Sequence, residues 1–299
     1  MRTRFYQIGK DRAAGLAFTV TVALYLLVAL CFSAIAQGVP KEQREQDYVF
    51  FYLSFFLPIP VIILSFITLF ELTAYNGHDF LTFKFKAIDI IPVILIFMGT
   101  FLSLNKVNDL VVKFLNGLGY SEPQTTLPPF SVYDYAECVV VICVLPAIME
   151  EALFRGVIVN GLKGGGIMGI LISALAFSVY HMSPAKTVYQ FLMGIVFAVV
   201  YLKTGSVIAT AIIHFLNNFA IVTLNYFPLG FLTEGTVAAV LPFIGAATAA
   251  LGFVLLFTFE KKNKIPAKNG DNGVIGGFMK YSAIGMLACA TVWIAGLLA

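Results

Sequence analysis

Residues 138–159 read CVVVICVLPAIMEEALFRGVIV. The run is long enough to cross a membrane as a helix, which takes about 20 consecutive, mostly apolar residues. Yet it carries Glu150, Glu151 and Arg155. A charge at the bilayer centre costs at least about 2.5–3.5 kcal/mol on insertion scales. A chain that keeps three of them there has a use for them.

Comparable apolar runs lie on both sides. They fall near 13–37, 49–72, 87–105, 136–159, 166–182, 186–203, 206–226, 236–259 and 276–299. Of 299 residues, 60% are hydrophobic and 12% charged, and the mean hydropathy is +0.91. A soluble domain carries roughly 25% charged residues, so a water-facing surface cannot be built from this chain. The runs are too long for barrel strands and lack two-residue alternation. The first run is too long for a simple signal peptide. The expected fold is all-α: a polytopic transmembrane bundle of about nine spans, with spans four to seven as its core.

The chain reads as a single membrane domain over residues 1–299, with a core at 136–226, a connector at 260–275 and an additional C-terminal span at 276–299 appended to the bundle. The connector, EKKNKIPAKNGDNGVI, is basic and rich in Gly and Asn. Between 106 and 134 the apolar residues Val107, Leu110, Val111, Phe114, Leu115 and Leu118 fall at helical spacing, which predicts a short interfacial helix. Pro123, Pro128 and Pro129 then end it. The net charge of +3 includes no basic stripe, so no nucleic-acid partner is expected. Basic residues cluster before span one (Arg2, Arg4, Lys10, Arg12), between spans two and three (Lys84, Lys86), around spans four to six (Arg155, Lys163, Lys203) and after span eight (Lys261, Lys262, Lys264, Lys268). The positive-inside rule then places the N-terminus in the cytoplasm and, with nine spans, the C-terminus outside. Cys31, Cys138, Cys143 and Cys289 sit in apolar runs without a CxxC pair and read as small hydrophobes.

Few polar residues lie deep in the runs, so those few are informative. Glu71, Asp89 and Glu137 are near span ends, whereas Glu150 and Glu151 are not. Of three histidines, His78 is in a loop, His181 is in span five and His214 is in span seven, followed by Asn217 and Asn218. Residues four apart share a helix face. Glu151 can therefore pair with Arg155, Phe177 shares a face with His181, and His214 with Asn218. Glu150 is left about 100° around its helix. If the faces converge, a carboxylate, two imidazoles and a carboxamide share one pocket. That set can deprotonate a water, and Glu150, His181 and His214 can hold Zn²⁺ or another divalent metal. Taken singly, Glu150, Glu151 and Arg155 could be an ion-pair cluster that only joins helices, and Asn218 an interhelical hydrogen bond. Depth is a constraint. At 1.5 Å per residue, Glu150 lies roughly 15–20 Å from the turn after span four, His214 roughly 12–15 Å and His181 roughly 22–25 Å, so convergence requires tilted or staggered helices.

The motifs E-E-x-x-x-R (Glu150, Glu151, Arg155), F-x-x-x-H (Phe177, His181) and H-x-x-x-N (His214, Asn218), in this order, resemble those of the CPBP family (CAAX protease and bacteriocin-processing, or Abi), which includes the type II CAAX prenyl endopeptidases. Arg155–Gly156, the stretch YLKTGS at 201–206 and the intervals between motifs resemble it too, over roughly residues 140–226. The resemblance implies an intramembrane endopeptidase in a bacterial plasma membrane. Its partners would be membrane lipid and a membrane-anchored, prenylated or hydrophobic peptide substrate. It implies Glu150 as general base, His181 and His214 as ligands or proton carriers, and Asn218 as a donor to the oxyanion. Glu151 and Arg155 would be a supporting pair, with Phe177 beside them. The alternative is a non-enzymatic membrane protein: a proton-coupled transporter, or a bacteriocin-immunity or partner-binding protein. Transporters often show two related, helix-broken halves, and none is visible here.

Overall fold

A computed structural model describes residues 8–41, 44, 48–73, 75–121, 126–232, 235–261, 263 and 270–298. Helices follow each of the apolar runs. We label them α1 (Lys10–Gln37), α2 (Val49–Leu72), α3 (Ala87–Gly117), α4 (residues 132–162), α5 (Gly166–Tyr180), α6 (Thr187–Thr204), α7 (Val207–Tyr226), α8 (Gly235–Phe259) and α9 (Asn272–Leu298). Among the described residues, seven are long and apolar enough to cross a membrane: all but α4 and α5. Helix α5 has 15 residues, about 22 Å, against roughly 30 Å of hydrocarbon. Helix α4 is long but not a uniform α-helix. The protein is an all-α, polytopic integral membrane protein; of the expected spans, α4 is irregular and α5 is short.

The irregularity of α4 has a chemical cause at one point. Pro146 has no N–H to offer the Ile142 carbonyl four residues back. A π-helical stretch, Val139–Val144, precedes it. A second π stretch, Ala152–Val159, begins directly after Glu151 and contains Arg155. Such widened turns are rare and are frequently found at functional sites.

The helices pack through missing side chains. A Cβ on Gly99 of α3 would lie 2.2 Å from the backbone nitrogen of Ala249 in α8, and one on Gly15 of α1 would lie 2.4 Å from the Phe278 carbonyl oxygen in α9. Close backbone approach of this kind stands in for the hydrophobic drive that lipid does not supply. Helix α9 is thus more than an appendage. Its face of Gly277, Phe278, Ser282, Gly285 and Cys289 is buried, and it lies along α1. Cys138, Cys143 and Cys289 are buried and all four cysteines are free.

The predicted separate interfacial helix over 107–118 is instead the end of α3, which continues without a break to Gly117. No Gly or Pro interrupts it near 105, and the Asn105 side chain donates to the Phe101 carbonyl at 2.8 Å, inside the helix. At 31 residues α3 is about 46 Å long, so its last turns extend past the hydrocarbon. Pro123, Arg2, Arg4, Lys262, Lys264 and Lys268 lie outside the described residues, as do residues 265–267 and 269 of the connector.

The stagger that the site requires comes from residues 76–82. A short helix, Gly77–Phe80, is closed by a capping box between Asn76 and Asp79. Phe80 is buried in the core. The Asn160 side chain on α4 donates to the carbonyls of Asp79 and Phe80 at 3.2 and 3.3 Å. A Cβ on Gly156 would meet Leu81 at 2.5 Å. The first N–H of α7, from Val207, donates to the Thr82 carbonyl at 3.0 Å. Helix α7 therefore starts level with residues 156–160 of α4, inside the bundle, and His214 is lifted to the level of Glu151.

Replacing Gly99 with Leu forces α3 and α8 apart. It should lower stability by about 1–3 kcal/mol or more, read as an earlier thermal midpoint in detergent. Gly117→Leu, at a position with open space around it, should leave the midpoint unchanged.

Candidate active site

Glu151 is fully buried, and so is Arg155. Arg155 Nε lies 3.0 Å from Glu151 Oε2, but off the axis of an aligned hydrogen bond, and Nη1 and Nη2 have no hydrogen-bond partner. Aromatic faces surround the guanidinium instead: Phe177 at 4.3 Å, Phe197 at 4.6 Å and Phe154 at 5.9 Å from ring centroids. Cation–π contact of a desolvated guanidinium contributes about 2 kcal/mol.

The other Glu151 oxygen, Oε1, accepts from His214 Nδ1 at 2.9 Å. Because an ionised carboxylate only accepts, the proton sits on Nδ1 and Nε2 is left with a lone pair when the ring is neutral. The His214 ring also stacks on Phe197 at 5.5 Å and meets Phe177 edge-on at 6.3 Å. His181 follows the same logic. It is the residue after the last turn of α5, and its Nδ1 donates to the Phe177 carbonyl at 2.8 Å. A carbonyl cannot donate, so here too Nε2 is the open nitrogen. It lies 3.9 Å from Glu150 Oε2, an oxygen that is buried and has no hydrogen-bond partner.

Glu150, His181, His214 and Asn218 all line one cavity of about 320 Å³. Phe177, Glu151 and Arg155 lie directly behind them. Asn218 is already engaged: its Nδ2 donates to the Ile142 carbonyl at 3.0 Å, the acceptor that Pro146 leaves without a partner. Its second N–H remains for other use. Two neighbours, Tyr189 and Phe197, escaped the sequence reading. Tyr189 donates to Asn217 Oδ1 at 2.6 Å, and Asn217 Nδ2 reaches Asn218 Oδ1 at 3.4 Å. Phe197 completes the cage. Tyr189, Met193 and Phe197 recur every four residues along α6 and are all buried. That spacing was the available signal, but it reads as ordinary core until the polar partners are known.

The donor types suit zinc: two imidazoles held at Nδ1, with Nε2 free, and a carboxylate. The distances do not. Among the described residues no three His, Cys, Asp or Glu side chains form a group able to hold an ion.

Residues 135–220 match a family model described as type II CAAX prenyl endopeptidase, Rce1-like. The match runs from Tyr135 in α4 to Ala220 in α7 and includes Glu150, Glu151, Arg155, Phe177, His181, His214 and Asn218. Over this segment the chain is similar to the CAAX prenyl endopeptidases that the model describes. No curated protein and no solved structure matches the chain.

Removing one partner of a buried ion pair costs about 3–5 kcal/mol, while replacing both with apolar residues is far milder. Glu151→Leu should therefore unfold or strongly destabilise the protein in detergent. Glu151→Leu combined with Arg155→Met should recover most of the thermal midpoint, though not any function that depends on His214.

Proposed function

We propose that the protein is an intramembrane endopeptidase that hydrolyses a peptide bond of a membrane-anchored, prenylated or otherwise hydrophobic peptide through a water activated by Glu150. The observation that carries this reading is the pair of open acceptors, Glu150 Oε2 and His181 Nε2, 3.9 Å apart in a cavity within the bundle. A water admitted between them would donate one hydrogen to each and turn an oxygen lone pair outward, toward a carbonyl carbon.

Attack forms the new C–O bond and passes the water's proton to Glu150. The developing oxyanion needs donors. The second N–H of Asn218 is available for this, and a single such donor is worth roughly 3–4 kcal/mol. Collapse breaks the C–N bond, and the proton held by Glu150 goes to the leaving amine. Glu151 has no part in the transfer. Its carboxylate fixes His214 in one tautomer through Oε1, and Arg155 lies against its other oxygen. The match to an endopeptidase family favours this reading over a transporter or an immunity protein.

The test is a cleavage assay on detergent-purified protein, with a prenylated C-terminal peptide and an unprenylated apolar peptide as substrates. Glu150→Gln should lower the rate about 10²–10⁴-fold without moving the thermal midpoint. His181→Ala and His214→Ala should each be impaired. Full cleavage by all three variants would overturn the mechanism. A chelator should leave cleavage intact; stoichiometric bound zinc together with loss of activity on chelation would reassign Glu150, His181 and His214 as ligands.

A further inference from the structure

A second cavity, of about 330 Å³, lies at the opposite end of α4 and shares no lining residue with the first. Its walls come from four places in the chain: Lys10 at the start of α1, Asp79 and Thr82, Asn160 and Lys163 at the end of α4, and Tyr201 near the end of α6. We propose that this cavity binds a phosphate monoester or diester, and specifically the headgroup phosphate of an anionic membrane lipid.

The lining charge is two lysines against one aspartate, a net +1. Lys10 Nζ donates one hydrogen to the Asp79 carbonyl at 2.5 Å and sits over the rings of Tyr75 and Phe80 at 5.7 and 5.3 Å. Two ammonium hydrogens remain. The Asp79 carboxylate is drawn aside, because its Oδ2 accepts from the Asn76 amide at 2.8 Å. Tyr201 is 7% exposed, and its hydroxyl has no hydrogen-bond partner among the described residues although it lines the cavity. A buried phenol with a free O–H, two lysines and a threonine hydroxyl form a donor-rich lining that matches an acceptor-only anion.

The location selects the lipid. The cavity opens where α1 begins and α4 and α6 end, between helices at a bundle end. Basic pockets between spans at that depth recognise lipid headgroups. Other lysines nearby are committed elsewhere: Lys86 pairs with Glu260, and Lys203 donates to the Asn263 carbonyl at 2.6 Å. Lys10 and Lys163 are the lysines that face this cavity. The proposal does not depend on the protease reading.

The experiment uses the full chain in phosphatidylcholine bilayers with and without phosphatidylglycerol, with lipid retention read by native mass spectrometry and stability by thermal midpoint. Wild type should retain phosphatidylglycerol preferentially and melt later in its presence. Lys163→Gln should weaken retention about fivefold, Tyr201→Phe should weaken it detectably, and Lys10→Gln combined with Lys163→Gln should abolish the preference. Lys84→Gln, at the same end of the bundle but outside the cavity, should change nothing. Equal retention of both lipids, or an equal loss in Lys84→Gln, would overturn the site. Inorganic phosphate in phosphatidylcholine alone separates the sources: a full stability gain from phosphate with none from phosphatidylglycerol would overturn the lipid assignment.

Discussion

The Glu151 carboxylate is the constraint around which the rest is arranged. An ion taken out of water costs several kcal/mol even after relaxation, and Glu151 is fully buried. Each of its oxygens meets a different helix position: Arg155 one turn on, and His214 on α7. Arg155 is itself a buried cation, and its demand is met by three phenyl faces rather than by hydrogen bonds. Two of those rings, Phe177 and Phe197, also contact His214. One carboxylate therefore fixes the relative position of α4, α5, α6 and α7. The adjacent Glu150, on another face of α4, is left with an unpartnered oxygen. Adjacent acids with opposite fates, one committed and one open, are what a helix permits and an extended strand facing a single pocket would not.

That arrangement needs helices that do not run in register, and the means are local. The wedge at residues 76–82 raises the start of α7. Two π stretches in α4 bracket the acidic pair. Pro146 frees the Ile142 carbonyl, and Asn218 occupies it. The carboxamide thus has a structural duty as well as the proposed one, and the two coexist because its nitrogen carries two hydrogens. Tyr189 and Asn217 hold the other end of that carboxamide.

Much of this was legible in the sequence because burial of charge in lipid is so costly that it is informative. Glu150, Glu151, Arg155, His181, His214 and Asn218 stand out against apolar runs, and four-residue spacing correctly pairs Glu151 with Arg155. The same spacing could not show that His214 would compete for Glu151, since that contact crosses 63 positions. Nor could it show that α5 is short, that α3 continues through its amphipathic end, or that α9 packs along α1. Those outcomes depend on which surfaces meet. A hydropathy run reports how apolar a segment is, not where its neighbour lies. Tyr189 and Phe197 were invisible for a related reason: an aromatic on a buried face looks like core whether or not its hydroxyl or its ring face has a polar partner.

Helix α4 finally links the two cavities. Its middle, through Ile142, Pro146 and Glu150, lines one, and its end, through Asn160 and the adjoining Lys163, lines the other. Between them stand Glu151 and Arg155, a fully buried ion pair. Ten residues of helix separate Glu150 from Asn160, roughly 15 Å, and eight of the intervening residues form the second π stretch. A charge bound at Lys10 and Lys163 therefore acts on the same rigid element that carries the general base, but from beyond its buried ion pair. The pair holds the geometry of Glu150 against disturbance from that end. Occupancy of the basic cavity should accordingly be felt first as stability of the bundle, through α1, α4 and α6 together, and only secondarily as a change in the chemistry at Glu150.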